Sequence, residues 1–375
     1  MGSPARRRIV AVCGDSGGAA AVAPVIQGLL KGGGTRVTAL AYQKAVGKWK
    51  DLHIPFSEVL EDLSPEEARR ILQDGPTALL LTGTSFPVKL ELLFTKAARE
   101  LGVPSLAVLD FWSNYGLRFT DPGGVRVLPD RIAIMDSIAR EEMIGEGFEP
   151  GRLAVTGQPA YDDLGEWRAR FTASRRREVR ESFGLGEGAI LVLFASQPFS
   201  KVPFTAYPGY TEHDALAALI PALDQISDEE GRDISLLIRP HPNESPDGFR
   251  NYRGRRVKIE VSPEGNGREI AMASDLVTGM TTGLLVEACY LGCLVVSIQP
   301  GLRVPDPLPT NRLGVSRAVY STEEVKPVLH QMLFDEGRRE EARQRLSRFQ
   351  TDGKATERVL RVIRDLTGHG KPPEI

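Results

Sequence analysis

Short runs of consecutive apolar residues alternate along the chain with stretches whose apolar positions recur every three or four residues. Residues 8–14 (RIVAVCG), 35–42 (TRVTALAY), 77–83 (TALLLTG) and 104–110 (PSLAVLD) are of the first kind, and their length and β-branched content predict strands. Residues 130–136 (DRIAIMD) and 152–157 (RLAVTG) continue the series. Between them, 19–30, 64–72, about 87–101 and 137–145 read as helices. The second of these opens with Ser64 at the cap, Pro65 at the first helical position and Glu67 three residues after the cap, a strong start signal. Strands that are apolar throughout and joined by helices predict a parallel sheet covered on both faces.

A polar stretch with helical periodicity, roughly 159–182, interrupts this rhythm. The alternation restarts at 189–196 (AILVLFAS) and continues through helix 213–226, strand 234–240 (ISLLIRP), a short strand VKIEV, strand DLVTGM, helix 283–291 and strand LVVSIQP. From about 322 to 366 the chain is helical and highly charged. The expected fold class is α/β, with two doubly wound, Rossmann-like parallel-sheet domains facing a central cleft. The first spans 1–165 and the second 175–365, with the option that the C-terminal helix packs back on the first. Ligands of such sheets bind beyond the carboxyl ends of the strands, so those ends carry the functional information.

Composition changes this picture little. The 375 residues are 41% hydrophobic and 26% charged with a formal net charge of −2, which advertises no nucleic-acid partner. The basic cluster at 5–8 reads as a solvated tail, and that at 174–180 as a helix face carrying Glu178 as a partner. Three cysteines, Cys13, Cys289 and Cys293, sit in apolar stretches and read as reduced core residues. No apolar run approaches a bilayer span, so the expectation is a cytoplasmic protein, compatible with a peripheral membrane contact and with a homodimer.

At the strand ends, CGDSGGAAA (13–21) is a glycine-rich turn into a helix whose amides can hold an anion or a sugar hydroxyl. It matches neither G-x-G-x-x-G nor the Walker pattern, and tight packing explains it equally well. Asp15 within it is a candidate general base. Thr84 and Ser85 follow the third strand, as helix caps or as ligand contacts. AVLDFWSNYGLRF (107–119) gathers a carboxylate, aromatics, an amide and an arginine directly after a strand, and Asp110 is its most interesting member. ISLLIRPHPNE (234–244) ends in a histidine bracketed by prolines, a stiff element that holds His241 in one orientation at the cleft. In ASDLVTGMTTGLLVEACYLGCLVVSIQPG (273–301), Thr281, Thr282 and Gly283 precede a helix whose free amides suit a diphosphate. Glu287, four residues after Gly283, can reach ribose hydroxyls or merely compensate the helix dipole. The segment 199–210 (FSKVPFTAYPGY) has the composition of a cleft loop.

Together these segments resemble the GT-B superfamily, which includes nucleotide-sugar glycosyltransferases and the non-hydrolysing UDP-N-acetylglucosamine 2-epimerases. AVTGQPAYDDL (154–164) looks like that group's vTGNP…D segment, RPHPNE is similar to its HPNP turn, and SDLVTGMTTGLLVEACYLGCLVV resembles its SDLVITDSGGxxEEAxxLGxPVL segment. The resemblance covers most of the chain in order, and its last motif is fairly specific for the superfamily. It implies that His241, Thr281, Thr282, Gly283 and Glu287 bind the nucleotide half of a sugar donor, with Ser196 and Arg239 beside them. Asp110 falls near the glutamate of the epimerases' HVEAGLR. Their GTRPE and HRRE motifs are replaced here by CGDSGGA and ASQPFSK.

The leading expectation is therefore a glycosyltransferase acting in cell-surface polysaccharide or glycolipid synthesis. It would take a UDP- or CMP/CDP-linked sugar as co-substrate, without metal or other cofactor, and a sugar or glycolipid as acceptor. Asp110, Asp15 and His241 are its candidate catalytic residues, and Arg239 or His241 its candidate stabilisers of the leaving diphosphate. A nucleotide-sugar 2-epimerase-like isomerase and a non-catalytic nucleotide-sugar-binding protein are the alternatives.

Overall fold

The computed structural model describes residues 7–86, 90–186, 188–202 and 207–368, and the chain divides into two compact units. Unit 1 is Met1–Asp163 with Asp352–Ile375, and unit 2 is Leu164–Thr351.

Unit 1 holds seven parallel strands: β1 (Arg7–Cys13), β2 (Thr35–Ala41), β3 (Ser57–Glu58), β4 (Thr77–Thr82), β5 (Ser105–Val108), β6 (Arg131–Ile134) and β7 (Leu153–Val155). Their spatial order is β3-β2-β1-β4-β5-β6-β7. The helices between them are α1 (Ser16–Lys31), α2 (Lys44–Asp51), α3 (Pro65–Gln73), α4 (Leu90–Glu100), the single turn α5 (Tyr115–Arg118) and α6 (Ser137–Gly145). β1 shows why the strands are apolar at every position. Ile9, Ala11 and Cys13 join a core with Val22, Ile26 and Trp49, while Val10 and Val12 pack on the other face with Tyr42, Leu72 and Phe94.

Unit 2 opens with α7 (Leu164–Arg170) and α8 (Ala173–Ser182) and holds six parallel strands. These are β8 (Ile190–Ala195), β9 (Ile234–Arg239), β10 (Lys258–Val261), β11 (Leu276–Gly279), β12 (Val295–Ile298) and β13 (Arg317–Val319), in the order β10-β9-β8-β11-β12-β13. The flanking helices are α9 (Glu212–Glu230), α10 (Gly267–Ala273), α11 (Gly283–Tyr290), α12 (Pro309–Arg312), α13 (Thr322–Phe334) and α14 (Glu336–Arg348), after which α15 (Ala355–Leu366) belongs to unit 1.

Several expectations change. The helix read at 19–30 starts at Ser16, because Asp15 caps it through Gly18 N–H. The helix read at 213–226 runs from Glu212 to Glu230, held by a capping box between Thr211 and Asp214 and ended by Gly231 at φ 59°. The continuous helix read at 159–182 is broken, since Thr172 is extended and caps α8. Residues 87–89, where the fourth helix was expected to begin, and 203–206 of the expected cleft loop lie outside the described residues. So do 5–6 of the first basic cluster, but Arg8 is no tail residue. It is 4% exposed and donates to Thr38 Oγ1, Thr77 Oγ1 and the Asp74 carbonyl. The second basic cluster is likewise an internal clamp, with Arg176 and Arg180 both on Asp275 and Arg175 on Glu269 as well as Glu178.

The expected division was 1–165 and 175–365, with the option of the C-terminal helix on the first domain. Unit 2 starts at Leu164, and the chain returns to unit 1 at Asp352. The return has a specific anchor: Asp162 accepts the first two amides of α15, from Ala355 at 2.9 Å and Thr356 at 2.7 Å. Gly157, at φ 87°, leaves room for Ala355, which a Cβ there would meet at 2.9 Å. Val359 and Ile363 then join the core beside α1.

Candidate functional site

In unit 1 the ends of β1, β4 and β5 bring three carboxylates and one arginine together. The turn after β1 is built around Glu91 of α4, which is 3% exposed. Glu91 accepts from Gly14 N–H at 3.0 Å and makes very short hydrogen bonds with Ser85 and with the Tyr42 hydroxyl. Ser85 Oγ in turn accepts the amides of Gly14 and Asp15. The amides of Gly14, Asp15 and Gly18 are thus committed inside the protein, and the anion-holding role considered for this turn loses those donors. Ser85 thus braces the turn after β1.

Asp110, at the end of β5, accepts from Thr84 Oγ1 at 2.7 Å and pairs with Arg118 at 2.6 Å. Arg118 also donates to the carbonyls of Ser113 and Thr84. The other Asp110 oxygen lies against Gly17, where any Cβ would overlap it. That glycine is what admits a second carboxylate beside the N-terminus of α1. Burial first, and then the neighbouring Asp110 charge, push Asp15 from 3.8 up to about 7, against the opposing pull of Arg118. Glu91 is also raised, chiefly by burial. Gln158 donates to the carbonyls of Leu109 and Asp110 and so pins the end of β5. Trp112 is buried and donates to Asp136.

In unit 2 three adjacent strand ends are tied together by the residues that follow β8. Ser196 Oγ donates to Glu244 at 3.0 Å, and Glu244 also accepts His241 N–H at 2.6 Å, linking β8 to the turn after β9. Gln197 accepts from Thr281 Oγ1 at 2.8 Å, linking β8 to the turn after β11. Thr282 is the extended N-cap residue of α11 and makes no side-chain capping bond, and the first turn of α11 carries no acidic residue. A Cβ at Gly283 would meet nothing within 4 Å. The amides at this helix start therefore contrast with those of α1, where Asp15 fills the cap. Glu287, one turn inside α11, pairs with Arg268 of α10 at 2.7 Å.

Arg239, a candidate for contact with a diphosphate, ends β9. Its guanidinium donates to the carbonyls of Glu264 and Gly265 at 2.7 and 3.0 Å, so it holds the loop after β10. Sequence reasoning missed Gln197, Glu244 and Arg268 as partners, although Glu244 stands in the HPNE stretch itself. A groove of about 970 Å³ lies between α9 and α13; Tyr207, Gly209 and Tyr210 of the expected cleft loop line it, whereas none of the candidate catalytic or nucleotide-binding residues does. Among the described residues no helix is long and apolar enough to cross a membrane, and no group of His, Cys, Asp and Glu is arranged to hold a metal ion. Cys13, Cys289 and Cys293 are free thiols.

Comparison with known proteins agrees with this architecture. No protein-family model and no curated protein matches the sequence. Solved structures do match along nearly the whole chain. The S. aureus MnaA–UDP complex is similar at 15% identity and a TM-score of 0.73, covering 98% of this chain and 100% of that one. The UDP-GlcNAc 2-epimerase of Neisseria meningitidis, bound to UDP-GlcNAc, is similar at 14% identity and 0.70, covering 96% and 100%. A glycosyltransferase from Rickettsia africae is similar at 12% identity and 0.67, covering 98% and 100%. The fold is thus the α/β GT-B type, with two parallel sheets of seven and six strands.

Proposed function

We propose that the protein is a nucleotide-sugar enzyme that binds the nucleotide diphosphate at the start of α11 and transfers the sugar to an acceptor hydroxyl. The observation that carries this reading is the contrast between the two glycine-containing helix starts. At α1 the Gly14, Asp15 and Gly18 amides are spent on protein groups. At α11 the cap side chain makes no such bond, small hydroxyl residues flank the turn, and Glu287 stands one turn inside. Such a helix start attracts the negative charge that grows on a departing diphosphate. His241 would add a ring donor from the turn after β9, on the far side of β8, and Glu287, paired with Arg268, would accept ribose hydroxyls.

Asp15 is the preferred base. An acceptor hydroxyl must lose a proton as its oxygen attacks the anomeric carbon and the sugar–phosphate bond breaks with its electron pair going to the diphosphate. A carboxyl raised to about 7 is matched to that task near neutral pH. Asp110, engaged by Arg118 and Thr84, supports Asp15 electrostatically instead of moving the proton itself.

Epimerisation is the second reading, supported by the UDP-GlcNAc 2-epimerases among the similar structures. Proton NMR of UDP-GlcNAc incubated with the protein in D2O separates the two. Transfer predicts an unchanged donor until an acceptor saccharide is added, followed by release of UDP. Deuterium at C2 or inversion there without acceptor would replace transfer by epimerisation, and tight binding with neither would leave a non-catalytic binder.

A further inference from the structure

The turn after β9 contains an acidic residue that the resemblance to HPNP does not account for. Its sequence is HPNE, and Glu244 closes the turn twice. Its own N–H donates to the His241 carbonyl at 2.8 Å. Its side chain folds back so that one oxygen accepts His241 N–H at 2.6 Å and the other accepts Ser196 Oγ at 3.0 Å. Within the turn so formed, Asn243 N–H donates to His241 Nδ1 at 3.1 Å. A ring nitrogen that accepts a backbone N–H carries no proton, so the neutral imidazole holds its proton on Nε2. Lys201 braces the turn from the other side by donating to the Asn243 carbonyl at 2.9 Å.

We propose that Glu244 is a positioning residue for His241, fixing the ring as the Nε2–H tautomer so that a diphosphate oxygen is met by a donor. The proposal rests on the nucleotide-sugar reading above for its ligand, but its geometric half stands on the ligand-free protein. The prolines alone do not achieve this. Pro240 and Pro242 restrict the backbone and supply no N–H, so they leave the ring free to rotate about its own bonds. The Asn243 amide can lock the ring only if the turn is held closed, and the hydrogen bonds of Glu244 hold it. Ser196 thereby acquires a role in orientation, as the post on the β8 side.

The test is long-range 1H–15N NMR of the histidine rings in the ligand-free protein, with His241 assigned through His241→Gln among the five histidines. It is paired with UDP titrations of the same variants. The wild type should show one tautomer at His241, with the proton on Nε2. Glu244→Ala should mix the tautomers and weaken UDP binding about tenfold, the worth of one well-placed hydrogen bond to a charged group. Glu244→Gln should rescue both readouts, because its amide oxygen can accept His241 N–H while Ser196 Oγ turns to accept from the amide nitrogen. Ser196→Ala, which removes only one of the two contacts, should fall between them and covers the case in which Glu244→Ala does not fold. A single unchanged tautomer in Ser196→Ala and Glu244→Ala overturns the positioning role whatever the protein binds. A mixed tautomer with unchanged UDP affinity overturns the link from ring to ligand. A wild type that binds no UDP, CDP, GDP, dTDP or CMP overturns the nucleotide reading while the tautomer result stands by itself.

Discussion

Replacing Asp15 by asparagine should stabilise the protein at pH 8 and leave its stability unchanged near pH 4. The substitution keeps the cap on α1, because Asn and Asp serve about equally at that position and the Gly18 N–H needs only one oxygen. What it removes is an ionisation that folding makes harder. Asp15 moves from 3.8 to about 7 on folding, so the folded chain keeps this proton to higher pH than the unfolded chain does. Folding therefore takes up a proton between about pH 4 and pH 7, and the stability contributed by the protonated group is lost as pH rises through that window. At 1.36 kcal/mol per pH unit the shift corresponds to a ceiling of about 4 kcal/mol. Asp110 shares the same surroundings and relaxes when its neighbour becomes neutral, so a gain of about 2–4 kcal/mol is expected. Urea denaturation of both proteins at pH 4, 6 and 8 measures it. The difference should be close to zero at pH 4 and grow through pH 6 to its full value at pH 8. A variant no more stable than the wild type at pH 8 would refute the claim that the site holds Asp15 against ionisation. The same variant should lose turnover, the usual exchange of stability for function at an active site.

Two further substitutions probe unit 1. Gly17→Ala improves helix propensity by up to about 1 kcal/mol but places a methyl on the Asp110 carboxylate. The fold should persist while turnover falls about tenfold, a displacement of about 1 Å being sufficient for that; unchanged steady-state kinetics would exclude Asp110 from the site. Asp162→Ala deprives α15 of both amide acceptors and should cost about 1–2 kcal/mol. Hydrogen exchange should localise the loss as faster exchange along Ala355–Leu366, and uniform exchange behaviour would show that the helix is anchored by its apolar face alone.

The fold was readable because every β1 residue from Ile9 to Cys13 is buried on one face or the other, which forces the unbroken apolar runs of a parallel sheet. What escaped were elements set by single side chains or by distant ones. β3 is two residues long, both exposed, and offers no apolar signal. The start of α1 depends on reading Asp15 as a cap, and its second and third residues, Gly17 and Gly18, are glycines that propensity assigns to a turn. The anchor of α15, Asp162, lies 193 residues away from its first partner, and although a C-terminal helix on the first domain was an option, no local pattern announces a cap of that kind. The candidate site divides in the same way. His241 and Thr281 stand just beyond strand ends and Glu287 one turn inside the helix that follows, so the order of residues picks them out as candidates. The assignments of Arg239 to loop carbonyls and of Asp110 to Arg118 depend on side-chain pairings that the order of residues does not specify.

The central claim, that a nucleotide diphosphate sits at the start of α11, is tested most directly by calorimetric titration of UDP into the wild type and Gly283→Ala. In the ligand-free protein a methyl at this position meets nothing within 4 Å, so thermal stability should be unchanged or slightly higher. At the helix start it would occupy the approach of the phosphate, and UDP affinity should fall at least about tenfold, or ~1.4 kcal/mol. Equal UDP affinity in the two proteins, at equal stability, would contradict the account and move the ligand away from this turn.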